Sequence, residues 1–275
     1  MTRLRKVMPD YLRFKLKSLD IVTSKKELGM LPQGKLLINT INAHSYNTAL
    51  RDPLFAEALM KGGALIPDGA SIVKACGWLR AKSRPEERIA GWDLFVFEMG
   101  RLNDIGKAKG NGMEDDATAG TCKDGRRQPR VMFMGSSDKV LGLIRDKAAK
   151  TYPNLEVVTY SPPYKPEFND EDNAAIIRAI NDARPDLLWI GMTAPKQEKW
   201  AYAHWNELDI NCHCGTIGAV FDFFAGTARR APLWWQEHSM EWLYRLMKEP
   251  KRMWRRYIIG NVLFLKNVAE EKFFG

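Results

Sequence analysis

Cysteine is scarce, with four residues in 275, at positions 76, 122, 212 and 214. A chain this long can close a core with apolar side chains alone, so four scattered thiols do not read as a disulfide framework. Metal-ligating types crowd at Cys212-His213-Cys214. Read as a strand, that stretch sends both cysteines to one face and His213 to the other. No second pair of ligands with metal spacing accompanies it, which argues against a four-ligand zinc site. Long apolar runs are missing too. Nothing approaches the roughly 18 residues of a membrane span. The start, Met1-Thr-Arg-Leu-Arg-Lys6, lacks the apolar stretch and small-residue cleavage site of a secretory signal. The expectation is a cytoplasmic protein that touches a membrane only peripherally. Walker-type lysine loops and Gly-x-Ser-x-Gly elbows are also absent, and Gly110-Asn-Gly112 lacks the third glycine of a dinucleotide fingerprint.

What is present is an apolar content of 45% and a formal charge of +9. The first permits one large domain with an appendage. The second points to an anionic partner: a nucleotide diphosphate, a nucleic acid or an anionic lipid headgroup. Residues 1–30 are basic and weakly periodic, a lead-in of unassigned structure. From Leu36 the chain alternates short apolar runs with helical periodicity. Strands are expected at Leu36–Thr40, Ala64–Ile66, Arg130–Gly135, Leu155–Thr159, Asp186–Gly191 and Asp209–Cys214, with Thr216–Val220 as a further candidate. Helices are expected over 47–61, from about Gly69 through Trp78, after Arg88, after Ser137 and over Asn169–Ala183. This rhythm predicts an α/β, Rossmann-like and mostly parallel sheet with flanking helices over residues 1–230. Residues 104–128 are polar and carry five glycines, so they read as a mobile insertion with neither helix nor strand. From Ala231 two further helices form a C-terminal appendage over 231–275, one to about Lys248 and one from Pro250.

Polar residues gather at the strand ends, where open α/β sheets bind ligands. Thr40, Asn42 and His44 follow the first strand, and Pro67-Asp68-Gly69 follows the second. Asp68 reads either as a turn and helix cap or as a general base. Gly135-Ser136-Ser137 offers backbone N–H groups to an anion, or is a plain cap. In Pro195-Lys196-Gln197-Glu198, Gln197 has the donor and acceptor pair that reads a base or a sugar hydroxyl. Asp222 stands alone in an apolar run and must be paired, capping or bound to ligand. Asp170-Glu171-Asp172 matches a metal-binding Asp-x-Asp, but its place just after Asn169 assigns it to helix capping.

Several of these elements recur in one order: Asn42, Pro67-Asp68-Gly69, Arg88 with Gly91-x-Asp93-Leu94, Pro195-Lys-Gln-Glu198, Phe221-Asp222, Arg230-Ala-Pro232, and Glu241-Trp-Leu-Tyr-Arg-Leu246 followed by Glu249-Pro250 and Arg252. The set, spanning about residues 20–256, resembles the WecG/TagA/CpsF glycosyltransferases (glycosyltransferase family 26). The resemblance implies a GT-E type fold and an inverting, metal-independent, membrane-peripheral enzyme without cofactor, working at the inner face of the cell membrane. Such enzymes move a sugar from a UDP donor to a polyprenyl-diphosphate-linked acceptor sugar in envelope polysaccharide assembly. It implies Asp68 as the base, a donor pocket lined by Thr40, Asn42, Arg88, Gln197 and Asp222, and Arg245, Arg252 and Arg255 closing over the diphosphate. Gly135 joins the donor set through its backbone. The donor is open among UDP-N-acetylmannosamine, its uronic acid and UDP-glucose. The 104–128 insertion departs from the family pattern.

Two readings outside catalysis compete. A nucleic-acid-binding module fits the net charge and Trp234, Trp235, Trp242 and Trp254, but no nucleic-acid motif accompanies them. A non-catalytic scaffold is opposed by the intact Asp68, Gln197 and Asp222. In the last helix, Trp254, Ile258, Val262 and Leu265 form an apolar stripe that either lies in a membrane interface or packs on the main domain.

Overall fold

The computed structural model describes residues 14–110, 128–238 and 240–274. Among these, six parallel strands form one sheet in the order β2-β1-β6-β5-β3-β4. They are β1 (Leu36–Ile41), β2 (Gly63–Pro67), β3 (Arg130–Gly135), β4 (Glu156–Tyr160), β5 (Leu187–Gly191) and β6 (His213–Thr216). Parallel strands need crossovers, and helices cover both faces, so the central strands are apolar on each side. In β3 and β5, Val131, Phe133, Leu187 and Trp189 point into one core cluster, and Met132, Met134, Leu188 and Ile190 into another. Gly135 lies at φ +123° directly against the Gly191 carbonyl, leaving no room for a Cβ.

The helices are α1 (Lys25–Leu28), α2 (Ala43–Ala49), α3 (Pro53–Lys61), α4 (Ala70–Leu79), α5 (Gly91–Gly110), α6 (Asp138–Thr151), α7 (Asp170–Ala183), α8 (Lys196–Ala203), α9 (Val220–Ala225), α10 (Leu233–Glu237), α11 (Glu241–Lys248), α12 (Pro250–Trp254) and α13 (Gly260–Phe274). The expected helix over 47–61 is two. Asp52 caps α3 by accepting from Phe55 N at 3.1 Å, and Pro53 occupies its first turn, so the chain must leave helical geometry there. The first residues of the insertion expected from 104 are helical, because α5 continues to Gly110. Leu102 and Ile105 pack on the core, and Gly106 is a glycine because the helix passes the Asn154 carbonyl too closely for a Cβ. Packing here overrides a weak local signal. The rest of the proposed insertion, 111–127, lies outside the described residues.

Strand β6 starts only at His213 and ends at Thr216, so of the Thr216–Val220 candidate only Thr216 is strand; residues 217–219 turn into α9, which carries Phe221 and Asp222. Cys212 and Cys214 do fall on one side. His213 sits on the other, with Nδ1 2.9 Å from Glu98 Oε1 and Nε2 2.9 Å from the Pro32 carbonyl. Asn169 and Asp172 form a reciprocal capping box at the start of α7.

The C-terminal region is more divided than two helices. The first breaks between α10 and α11, and the second runs through a π-helical turn at Arg255–Ile259 into α13. Its last helix is built into the body of the protein. Phe264 and Val268 join the core cluster of Tyr46, Phe55 and Ile72. Glu271 accepts from Leu16 N, Lys17 N and the Tyr46 hydroxyl, and Asn47 Nδ2 donates to the Gly260 carbonyl. The described part of no helix is long and apolar enough to cross a membrane.

Candidate active site

Strands β1 and β2 end side by side, and the residues just past their carboxyl ends build the site. Asn42 leaves β1 and caps α2, its side-chain oxygen accepting from His44 N and Ser45 N at 3.0 Å each. Asp68 leaves β2 and is tied to its neighbour strand by donating from its backbone N to the Ile41 carbonyl at 2.8 Å. The Asp68 backbone is thereby fixed, while among the described residues nothing donates a hydrogen bond to its carboxylate. That carboxylate opens into a cavity of about 710 Å³. Asn42, His44, Ser71, Lys74, Arg88, Glu241, Arg245 and Arg256 contribute its polar wall.

Charge in this cavity is organised around two acids, Asp68 and Glu241, and three arginines, Arg88, Arg245 and Arg256, with Arg230 behind Glu241. Glu241, from the start of α11, accepts from Arg88 Nη1 at 2.5 Å and from Arg230 Nε at 3.1 Å. All three side chains are at most one-fifth exposed. Against the upward push of burial, Arg88 and Arg230 hold the Glu241 carboxyl below the ordinary carboxylate range. Asp68 is the opposite case. Burial raises its carboxyl above the usual value, and the charges of Arg88, Arg245 and Arg256 only partly offset that rise, with Glu241 adding to it. A carboxylate with free lone pairs and a raised proton affinity is the kind of group that takes a proton from a hydroxyl. Arg245 lies over the Phe223 ring, 5.0 Å from its centroid. Among the described residues it has no carboxylate partner. Arg256 has a buried Nε without a hydrogen-bond partner. Both are donors suited to the oxygens of a phosphate.

Of the residues selected from sequence, Asn42, Asp68, Arg88 and Arg245 meet in this cavity. The others lie elsewhere. Thr40 is half-buried on β1, opposite Ile66 in register. Gly135 ends β3, four places along the sheet from β2. Gln197 is buried, its Oε1 accepting from Met192 N at 3.2 Å and its Nε2 donating to Glu198 Oε1 at 2.9 Å. Burial lifts the Glu198 carboxyl to about 7. Asp222 is half-buried in the first turn of α9 and accepts from the Thr227 hydroxyl at 3.1 Å. Lys196 is occupied by the Lys165 carbonyl and the Phe168 ring. Arg252 falls within α12. Arg255 is exposed over Trp254, and Arg256 takes the inward place. A π turn holds more residues per turn than an α-helix, and in the one at Arg255–Ile259 it is Arg256 that lines the cavity.

With a buried carboxyl of raised proton affinity, clustered arginines and a parallel-sheet frame in place, the comparisons with known proteins decide the family. The model of the glycosyl transferase WecG/TagA/CpsF family matches residues 12–108 and 113–275. The chain belongs to that family. It is therefore a glycosyltransferase, of the hexosyltransferase kind. An N-acetylglucosaminyldiphosphoundecaprenol N-acetyl-beta-D-mannosaminyltransferase of Bacillus subtilis (strain 168) is 26% identical over 236 residues, covering 86% of this chain and 80% of the relative. Enzymes of the same description from Staphylococcus aureus (strain MW2) and Bacillus spizizenii (strain ATCC 23059 / NRRL B-14472 / W23) are 24% and 26% identical, each over 86% of this chain and about four-fifths of their own length.

Residues of this glycosyltransferase that sequence reasoning passed over include Lys74, Glu241 and Arg256. Lys74 lies one turn beyond Ser71 on α4, a spacing legible in the sequence had the polar face been read with the apolar one. Glu241 stood inside the Glu-Trp-Leu-Tyr-Arg-Leu string without a role.

Proposed function

We propose that this enzyme transfers N-acetylmannosamine from its UDP donor to a polyprenyl-diphosphate-linked N-acetylglucosamine, with inversion and with Asp68 as general base. The observation that carries the reading is the Asp68 carboxylate, free of hydrogen bonds from described groups, in a cavity that also holds Arg88, Arg245 and Arg256. Asp68 takes the proton of the acceptor hydroxyl as the oxygen's electron pair forms the new bond to the anomeric carbon. The bond from that carbon to the UDP oxygen breaks on the opposite face, and its pair leaves with the diphosphate. Arginines supply the positive charge that the leaving diphosphate needs, so the reaction proceeds without a divalent cation. Arg245 acts on that charge, and residues 231–275 serve as the appendage that closes over it. Thr40, Gly135, Gln197 and Asp222 lie outside this cavity, on or just after other strand ends of the sheet, and are assigned to the part of the donor that extends beyond it.

The enzyme works at the cytoplasmic face of the membrane, docked by the last helices. Trp254, Ile258, Val262 and Leu265 are between 42% and 66% exposed, so the stripe they form is not consumed by packing on the domain. Such a stripe with Lys251, Arg255 and Lys266 near it adsorbs reversibly on anionic lipid. The test is a panel of UDP-sugars with a synthetic polyprenyl-diphosphate-N-acetylglucosamine acceptor, read as product formation and UDP release. N-acetylmannosamine transfer is expected, and transfer from UDP-glucose alone would contradict the choice of sugar. Arg245→Ala should lower transfer with liposome binding intact, whereas Ile258→Ser with Val262→Ser should lower liposome binding.

A further inference from the structure

The wall of the cavity changes character along its length. Around Asp68 it is charged. Farther along α4 and α13 it becomes apolar, lined by Ala75, Trp78, Phe264, Leu265 and Val268. The spacing on each helix explains this. Ser71, Lys74, Ala75 and Trp78 lie on one face of α4, and Asn261, Phe264, Leu265 and Val268 on one face of α13. The two faces form a trough that begins at Gly69 beside the base. From Gly69 to Trp78 a helix rises roughly 14 Å. Lys74 lies on the turn where charged lining gives way to apolar lining.

The far end of the trough is open. Trp78 is 48% exposed and Leu265 66% exposed, and both line the cavity. Trp78 is steadied by an edge contact with Phe273 at 6.0 Å and by Lys272, whose Nζ donates to the Trp78 carbonyl at 2.8 Å. Phe273, 70% exposed, extends the apolar rim outward. Apolar groups on both a cavity wall and its open mouth mark a place where an apolar ligand enters from outside.

We infer that this trough seats the first isoprenoid units of the acceptor lipid, so that the enzyme reads the tail as well as the sugar diphosphate. The inference rests on the lipid-diphosphate reading of the acceptor. One continuous cavity holds the base at one end and this trough at the other. An acceptor sugar at Asp68 places its diphosphate near Lys74 and its chain along the cavity-facing seam of α4 and α13. The chain then leaves past Trp78 and Leu265 toward the bilayer, on the helix that carries the exposed stripe. This occupant satisfies both ends of the cavity at once.

The experiment compares two acceptors with the same sugar diphosphate, one on a polyprenyl tail and one on a short saturated alkyl tail, both in detergent. Wild-type enzyme is expected to prefer the prenyl acceptor by at least about tenfold in kcat/KM. Trp78→Ala and Leu265→Ser, both at exposed positions, should bring that ratio close to one, while Leu143→Ser on α6 leaves it unchanged. A ratio retained in both trough variants, or equal losses on both acceptors, overturns the inference. Thermal melting of each variant separates unfolding from a lost contact. If wild type transfers to neither acceptor, the functional reading itself fails. Titration with a short isoprenyl diphosphate then still decides the trough: tighter binding to wild type than to Trp78→Ala supports it, and equal binding refutes it.

Discussion

Replacing Glu271 by Gln should destabilise the protein by about 2 kcal/mol, although the two side chains have nearly the same shape. In the native fold Glu271 is buried, and its carboxylate accepts three hydrogen bonds. Oε2 takes Leu16 N at 3.0 Å and the Tyr46 hydroxyl at 2.6 Å, and Oε1 takes Lys17 N at 2.7 Å. An amide has one accepting oxygen. Turned to keep Leu16 and Tyr46, it aims its own N–H groups at Lys17 N, so one hydrogen bond is lost and two donors face each other. Hydrogen bonds to a charged acceptor contribute roughly 1.5–3 kcal/mol each, and the surviving two weaken on losing the charge. For a domain of this size the change corresponds to a fall in Tm of roughly 4–8 °C. Urea unfolding at pH 7 measures it, and Tyr46→Phe completes a double-mutant cycle, with a coupling of at least about 1 kcal/mol expected from groups in direct contact. Because α13 also lines the cavity, kcat/KM should fall in parallel. A loss under about 0.5 kcal/mol, the range of an ordinary surface substitution, would refute the claim that this carboxylate pins the last helix.

His213 supplies a pH-dependent prediction. Both ring nitrogens sit on acceptors, and although burial opposes it, the hydrogen bond and charge of Glu98 raise the imidazolium's pKa. A raised histidine contributes stability that is complete below about pH 6.5 and is lost as pH climbs through the raised value. His213→Gln should therefore cost more at pH 6 than at pH 9, of order 3 kcal/mol at the lower pH, in chemical denaturation. At the acid end, Glu98 is held below the ordinary range and its contribution disappears on further acidification. Asp172→Ala should lower stability slightly in chemical denaturation, because it removes the N3 half of the capping box at α7, and should leave turnover unchanged. Chelator-treated enzyme should match enzyme given Mg²⁺ or Mn²⁺, and strict metal dependence would return Asp170 and Asp172 to the site.

The frame was legible because its signals are local. Strands β2, β3 and β5 are short apolar runs ended by Pro67-Asp68, Gly135 and Gly191, and Asn169 with Asp172 spells a cap within four residues. The pairing of Asn42 with Asp68 at adjacent strand ends followed from parallel β1 and β2. Long-range features were not legible in that way. Glu241 meets Arg88 across 153 positions, and Glu271 meets Leu16 across 255, so neither periodicity nor propensity carries them. Asp52-Pro53 carries the split in the sequence itself, as a cap followed by a first-turn proline, whereas the apolar spacing on either side of it reads as one helix. The extension of α5 to Gly110 depends on packing and the π turn at Arg255–Ile259 is an irregularity, and neither shows in local periodicity.

If Asp68 is the base, the pH dependence of turnover must differ between Asp68→Asn and wild type. Burial raises the Asp68 carboxyl, so in wild type kcat/KM should climb with pH along a limb above the ordinary carboxylate value of about 3.9. A raised carboxyl also means that the charged form costs stability once pH exceeds that value. Asp68→Asn should thus melt no lower than wild type at pH 7, which removes unfolding as an explanation. The predicted result is a fall in turnover of about 10²–10⁴, loss of the limb, and retained UDP binding. A variant that keeps more than about a tenth of wild-type turnover, well above what loss of a general base leaves, would contradict the account.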